Sequence, residues 1–204
     1  VLFRSKKKSP FKRFLFIILF VVLLPLIILE GIIKLIIKLV KKKKDKKMLD
    51  SEFYDLLSIE KIDIMDGITF EQFLKRLFLF RGYKVTETAR TGDFGADLVL
   101  EKDGQTTVVQ AKRYNNNVGS KALQEIYSAK AHYHADNMIV ISNSHFTKQA
   151  EFMAKEQDIE LIDREELIAI MDETKSELER DFGLSELKAS ATTNDYNDNF
   201  KYRI

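Results

Sequence analysis

Two apolar runs in the middle of the chain are separated by a two-residue turn signal. The runs are DLVLE (97–101) and TTVVQAKRY (106–114), and Asp103-Gly104 lies between them. Asp-Gly favours the tight turn that joins two antiparallel strands in a β-hairpin. With this turn the numbers of directly opposed residues sum to 207, so Asp97 faces Gln110. A one-residue slip would turn every side chain to the other face, so the turn decides which side chains meet.

Polar side chains gather at the open end of this hairpin. Because side chains alternate along a strand, Gln110 and Lys112 share one face, and directly opposed residues lie about 5 Å apart. An acid, an amide and an ammonium suit the metal-assisted hydrolysis of a phosphodiester. Mg²⁺ takes oxygen ligands, here from Asp97, Gln110 or the backbone carbonyl of Ala111, while Lys112 offsets charge on the transition state. An ordinary salt bridge at a strand end is the alternative interpretation.

The periodicity of the remaining sequence predicts an α/β protein. The expected element order is α-β-β-β-α-β-α-β-α, a mixed sheet with helices on both faces. A connecting helix over 48–66 precedes a helix that begins with Thr69 as its N-cap and stops at Gly82. The other predicted elements are helices capped by Ser120, Thr147 and Asp163, and strands over 84–88, 97–101, 106–114, 138–142 and 159–162.

The first 47 residues differ sharply from the rest. Residues 14–29 contain no polar side chain, and with Glu30 and Gly31 tolerated the apolar stretch reaches Ile33, giving twenty positions. A membrane-spanning helix needs about 20 residues, so the stretch predicts one transmembrane helix. A cleaved signal peptide is the alternative, but no small-x-small cleavage site follows.

Positive charge is concentrated around this stretch. Residues 1–47 hold 14 basic and two acidic residues, which leaves 19 basic and 29 acidic residues, a net charge of −10, for 48–204. The pattern of 32–40 suits an amphipathic interfacial helix, and the lysine cluster 41–47 is expected to meet anionic lipid headgroups, unless it is a solvated linker. The larger cation cluster lies on the C-terminal side, which predicts a cell-membrane location with the soluble part in the cytoplasm.

Four segments in the chain resemble the Mrr-type restriction endonuclease domain of the PD-(D/E)xK nuclease superfamily. In order and with fitting spacing over about 67–170, they are FEQFLKRLFLFRGYKV, GDFGADLVL, VVQAKRY and ISNSHFTKQAEFMAKEQDIELID. The resemblance implies a restriction-endonuclease-like core, a catalytic domain over 67–173 between the connecting helix and a helical, then disordered tail over 174–204, and Mg²⁺ as cofactor, with Mn²⁺ as a substitute.

The resemblance also assigns roles to individual residues. Asp97 stands for the metal-binding aspartate and Lys112 for the catalytic lysine. Gln110 occupies the position of the superfamily's usual acid, and Mrr-type domains are similar to this sequence in having glutamine there. Glu71 matches a glutamate that would supply the missing negative charge, or it compensates the dipole of its helix at the second position.

The function implied is a membrane-anchored, Mg²⁺-dependent DNA endonuclease that acts in restriction of foreign DNA. A non-catalytic, membrane-tethered DNA-binding or interaction module on a nuclease scaffold is the alternative. The net charge of −10 predicts modest, salt-sensitive DNA affinity, and the partners expected are DNA, anionic lipids and a second copy of the chain in a homodimer. We expect no metal role for the three histidines. The predicted DNA contacts are Lys84, Arg90, Arg113, Lys121 and Lys148, with Asp93 and Ser142 as weaker site candidates.

Overall fold

The computed structural model describes the backbone of residues 10–88 and 94–182. Arg90, Asp93 and the predicted disordered tail lie outside the described residues. The chain divides into two compact units, with the boundary between Leu49 and Asp50. The domain boundaries expected from the sequence remain predictions.

The first unit contains most of helix α1 (Pro10–Leu56), which passes through Pro25. Among the residues that the structure describes, no helix is long and apolar enough to cross a membrane. The side chains of 14–19 and 21–23 lie outside the described set. The predicted transmembrane helix and cell-membrane location are corrected accordingly, and the lipid contacts remain a prediction.

The second unit has the predicted mixed α/β order. The segment expected to form one connecting helix is divided instead, because α1 ends at Leu56 and a short helix follows after Ser58. Its side chains Phe53 and Ile62 are buried in the core, so this segment is part of the packed unit. The elements are α2 (Ile59–Asp63), α3 (Gly67–Phe80), β1 (Lys84–Glu87), β2 (Leu98–Lys102), β3 (Gln105–Lys112), α4 (Ser120–Tyr133), β4 (Asn137–Ser142), α5 (Lys148–Gln157), β5 (Ile159–Ile162) and α6 (Arg164–Phe182).

The five strands form one sheet in the order β1-β2-β3-β4-β5. Strands β1 to β3 pair antiparallel, and β3 to β5 pair parallel. The register runs from Leu98 opposite Val109 to Lys102 opposite Gln105, which confirms the predicted hairpin. Asp103 (φ 52°) and Gly104 (φ 80°) are both left-handed, the conformation that a tight hairpin turn of this kind requires.

Alternation along β3 separates two cores, one on each face of the sheet. Val109 and Ala111 belong to the core that includes buried side chains of α1, α2, α3 and α6. Val108 belongs to the opposite core, which contains buried side chains of α4 and α5. Because side chains two apart share a face, Gln110 and Lys112 lie on the side of the sheet covered by α4 and α5.

The N-cap of helix α3 lies three residues before the predicted one. Asp66 is extended, and its side chain accepts a hydrogen bond of 2.7 Å from the backbone N–H of Thr69. Asp66 is therefore the N-cap, and Thr69 lies inside the first turn, so the predicted cap was wrong. The predicted cap Ser120 was wrong as well, because Ser120 is the first residue of α4 and Gly119 is its N-cap. The predicted end is confirmed, since the helix ends at Phe80 and Gly82, with φ 82°, follows the C-cap residue Arg81. The predicted apolar stripe is buried: Phe70, Phe73, Leu74, Leu77 and Phe78.

A polar network joins the loops at the carboxyl ends of β3, β4 and β5. Arg164 donates two hydrogen bonds of 2.8 Å to the carboxylate of Asp63, which also accepts one from Asn143. Asn143 in turn accepts from the backbone N–H of Tyr114. The hydrogen bonds from Arg164 are the main reason that the pKa of Asp63 lies below its usual range, against the opposing effect of burial. Distant segments are thus fixed around one edge of the sheet.

The loop before β2 lies directly against helix α4. Gly95 has φ 94°, and a Cβ placed on it would lie 2.5 Å from the backbone carbon and oxygen of Glu125. Neither atom can move unless α4 moves with it. Gly95 is therefore required both for its backbone conformation and for this close approach.

Replacing Asp63 by Asn should destabilise the protein in a pH-dependent way. The folded-state pKa of Asp63 is lowered, so its contribution is present above the unfolded value of about 3.9 and is lost as pH falls through the folded value. We expect Asp63→Asn to lower the unfolding free energy by about 1 kcal/mol at pH 7, a modest effect because the pair is partly exposed and screened. Urea unfolding at pH 7 and pH 3 measures this. An equal loss for the exposed Asp172→Asn would contradict it.

Replacing Gly95 by Ala should cost more than replacing Gly104 by Ala. Both glycines are left-handed, but Gly104 has nothing within 4 Å of an added Cβ. Gly104→Ala therefore adds only backbone strain, about 1 kcal/mol, whereas Gly95→Ala adds a clash as well, for at least about 2 kcal/mol in total. Denaturant unfolding of both variants gives the comparison. Equal losses would show that α4 does not pack on Gly95 in solution.

Candidate active site

Asp97 and Gln110 meet at the open end of the β2–β3 hairpin. The Gln110 side-chain Nε2 donates a 2.8 Å hydrogen bond to Asp97 Oδ2, and the backbone N–H of Ala111 donates a second bond of 2.7 Å to the same oxygen. The backbone N–H of Asp97 donates to the carbonyl of Val109 at 2.8 Å. The carboxylate is therefore fixed by the strand it faces, in the register that Asp103-Gly104 sets.

The amide oxygen of Gln110 has no hydrogen-bond partner among the described residues. Gln110 is 4% exposed, and its Oε1 is buried. An ionised carboxylate only accepts hydrogen bonds, so the amide nitrogen must face Asp97 and the oxygen must face away from it. A buried, unpaired acceptor is costly to retain. Such an atom fits a cation ligand, and a carboxylate with an amide oxygen is the ligand chemistry of Mg²⁺.

Lys112 lies two residues beyond Gln110 at the end of β3 and forms an ion pair with helix α4. Its Nζ is 3.0 Å from Oε2 of Glu125, and the two side chains are 19% and 33% exposed. The backbone carbonyl of Lys112 accepts a 2.7 Å hydrogen bond from the buried hydroxyl of Ser142. Ser142, a weaker candidate from the sequence, thus secures the end of β3.

Glu71 lies on α3 and is half-buried. With Asp66 as the N-cap, Glu71 is the fifth residue of the helix. The helix dipole acts on charges in the first turn and falls off beyond it, so dipole compensation explains Glu71 less well than the sequence suggested. Its role as a metal ligand remains a prediction.

The predicted DNA contacts fall into separate groups. Lys121 lies near the site, 3.9 Å from Glu125 and 87% exposed, and Lys148 begins α5 directly beyond β4. Lys84 pairs with Glu101 near the hairpin turn, four residues and about 13 Å along the strand from Asp97. Arg113 donates to the backbone carbonyls of Met65 and Asp63 and to the side chain of Asn115. Of the four predicted DNA contacts that the structure describes, Lys84 is therefore remote from Asp97, and Arg113 lies at the same edge with its guanidinium held by backbone carbonyls.

His145 lies in the loop after β4 and faces acidic groups. Its Nδ1 is 3.2 Å from Glu165 and 3.9 Å from Asp163. Asp163 also caps helix α6 through hydrogen bonds from two backbone N–H groups, as the sequence predicted. Helix capping by Asp163 and surface contacts of His145 thus account for the proximity of His145, Asp163 and Glu165.

Sequence reasoning missed three residues at this edge: Glu125, Asp63 and the packing role of Gly95. Glu125 is the single acidic residue of helix α4, and its own sequence neighbourhood does not connect it with Lys112. Its proximity to Lys112 depends on how α4 crosses the sheet. The signal that pointed to Gly95 was the turn sequence around it, which gave no information about α4.

The catalytic-domain family Mrr_cat, described as restriction endonuclease, matches residues 62–171. The type IV methyl-directed restriction enzyme EcoKMrr of Escherichia coli (strain K12) is 38% identical over 89 residues, which cover 42% of this chain and 29% of that enzyme. The match therefore spans less than a third of the relative's length.

Two solved structures are similar at 17% sequence identity, each with a TM-score of 0.46. One is AF1548, a protein of unknown function, with 61% of this chain and 94% of that chain covered. The other is the DNA modification-dependent restriction endonuclease AspBHI, with 70% and 40% covered. Because the family match extends over more than half of the sequence, this protein belongs to the Mrr-type restriction endonuclease family, a family of nucleases that act on DNA phosphodiester bonds.

Proposed function

We propose that this protein is a Mg²⁺-dependent DNA endonuclease that acts in restriction of foreign DNA. The observation that carries the proposal is the buried, unpaired Oε1 of Gln110 beside the carboxylate of Asp97, with Lys112 two residues further along the same strand. The family assignment supports a nuclease, and PD-(D/E)xK domains use divalent metal ions. The choice of Mg²⁺, with Mn²⁺ as a substitute, rests on the oxygen donors of the site.

The residues that would hold the ion are Asp97, through its carboxylate, and Gln110, through Oε1. The carbonyl of Ala111 and the carboxylate of Glu71 are the further ligands that we propose from the sequence. When bound, Mg²⁺ polarises the scissile phosphate and lowers the pKa of a coordinated water. The hydrogen bond that Asp97 accepts from the backbone N–H of Ala111 keeps its carboxylate oriented. The side-chain amide of Gln110, which donates to Asp97, would turn so that Oε1 faces the ion.

Lys112 supplies positive charge at the reacting phosphate. Its ammonium carries three N–H donors, of which the Glu125 carboxylate engages one. The remaining donors can bind a non-bridging phosphate oxygen and orient the attacking water. Negative charge grows on the phosphate oxygens in the transition state, and a fixed cation there is worth more than one that must be brought from solvent.

DNA would approach across the edge formed by the carboxyl ends of β3 and β4. Lys121 and Lys148 are the phosphate contacts that we retain, together with Arg90, which lies outside the described residues. We leave out Lys84, which is remote, and Arg113, whose guanidinium binds backbone carbonyls. The net charge of −10 for residues 48–204 makes affinity modest and strongly dependent on salt. A homodimer would supply a second site for the opposite strand.

The full chain should cut DNA in the presence of Mg²⁺ or Mn²⁺ and stop when chelator is added. Asp97→Ala and Lys112→Ala should each lower the cleavage rate at least about a hundredfold, since one removes the ion's ligand and the other a transition-state charge. Gln110→Glu should keep part of the activity because a carboxylate oxygen replaces Oε1. Supercoiled plasmid cleavage, with methylated and unmethylated DNA in parallel, measures these rates.

Matched charge removals far from the site serve as controls. Asp172→Asn on α6 and Lys155→Ala on α5 are exposed and should cleave like the unsubstituted chain. Full activity of Asp97→Ala or Lys112→Ala would contradict the assignment. DNA binding without any cleavage by the unsubstituted chain would favour a non-catalytic interaction module instead.

A further inference from the structure

The ion pair between Lys112 and Glu125 is more buried than the neighbouring contact between Lys121 and Glu125. Only 19% of the Lys112 side chain and 33% of the Glu125 side chain are exposed, and their charged atoms are 3.0 Å apart. Lys121, by contrast, is 87% exposed and lies 3.9 Å from the other oxygen of Glu125. Glu125 is therefore the strong partner of Lys112, and Lys121 is a weak, solvated neighbour.

The position of Glu125 on helix α4 is fixed by a contact with the segment that leads into Asp97. Gly95, two residues before Asp97, lies so close to the backbone of Glu125 that a Cβ would come within 2.5 Å of it. One close contact thus links the segment that carries Asp97 with the helical turn that carries Glu125. The close approach of Gly95 to α4 therefore fixes the position of Glu125, which binds Lys112, relative to Asp97, which faces Gln110.

We propose that Glu125 is a positioning residue, which holds the ammonium of Lys112 at the reacting phosphate. This role rests on the proposed nuclease function and adds to it a residue that neither the sequence motif nor the predicted site contains. Glu125 acts through Lys112 and does not contact the ion or the reacting atoms.

The physical need for such a partner follows from the lysine side chain. Four rotatable bonds allow its ammonium many positions, and ordering them costs up to about 2 kcal/mol. A partly buried ammonium without a partner also loses hydration. A half-buried carboxylate at 3.0 Å offsets both costs before DNA arrives, so substrate binding need not supply that free energy.

A purely structural ion pair would behave differently from a positioning pair. Loss of a structural pair lowers the unfolding free energy and leaves the turnover of the folded molecules unchanged. Loss of a positioning partner lowers kcat while KM for DNA changes little, because Lys112 is misplaced mainly with respect to the transition state. A carboxylate that merely competed with DNA phosphate would have the opposite effect, and its removal would lower KM.

The test compares Glu125→Gln, Glu125→Asp and a control, Glu156→Gln, in the full chain. Glutamine keeps the shape of the side chain and removes its charge, and Glu156 is an exposed acid near the end of α5. We expect Glu125→Gln to lower kcat at least about tenfold, as small misplacements of catalytic groups do, with KM changed less than about threefold. Glu125→Asp should recover part of kcat because it restores the charge, and Glu156→Gln should match the unsubstituted chain.

Steady-state cleavage of a defined DNA duplex at saturating Mg²⁺ gives kcat and KM, and thermal unfolding reports how much of each variant is folded. An active unsubstituted chain with unchanged kcat in Glu125→Gln, or a lowered KM alone, would overturn the role of Glu125 and leave the nuclease function intact. Loss of kcat that matches the loss of folded protein, with no recovery in Glu125→Asp, would overturn it as well. No cleavage by the unsubstituted chain would overturn the proposed function and this role together.

Discussion

The antiparallel pairing of β2 with β3 is the constraint on which the candidate site depends. Asp103 and Gly104 both adopt the left-handed conformation, and this tight turn sets Leu98 opposite Val109. Asp97 then reaches Gln110 and the backbone N–H of Ala111. A slip of one residue would turn Gln110 and Lys112 to the opposite face of the sheet, where α3 and α6 supply the core. The chemistry proposed for this edge thus depends on a turn some distance from it.

The parts of the fold that rest on local patterns could be predicted from the sequence. Strand alternation, the Asp103-Gly104 turn and the cap at Thr147 depend on neighbours in the chain, and all three are confirmed. The approach of Asp97 to Gln110 was predicted by counting opposed residues outward from that turn. The cap of α3 was misplaced because Asp66 and Thr69 are both good capping residues, and only the backbone conformation distinguishes them.

Contacts between distant segments could not be predicted. Asp63 and Arg164 are 101 residues apart, and their pairing requires β3, β4 and β5 to end at the same edge of the sheet. Glu125 is on the helix that follows Lys112, yet its contact with that lysine depends on how closely α4 approaches, which Gly95 permits. The prediction of a membrane span was wrong for a different reason. It rested on the length of one apolar stretch, whereas among the described residues no helix combines the necessary length and apolar character.

The central claim is that Gln110 Oε1 and the Asp97 carboxylate together bind the catalytic divalent ion. Crystals of the protein soaked in Mn²⁺ test this directly, because the anomalous scattering of manganese locates the ion independently of activity. We expect one peak about 2 Å from a carboxylate oxygen of Asp97 and from Oε1 of Gln110, the distance typical of octahedral oxygen ligands, and its loss in Asp97→Asn. An ion bound elsewhere, with Oε1 of Gln110 still unpaired, would contradict the account.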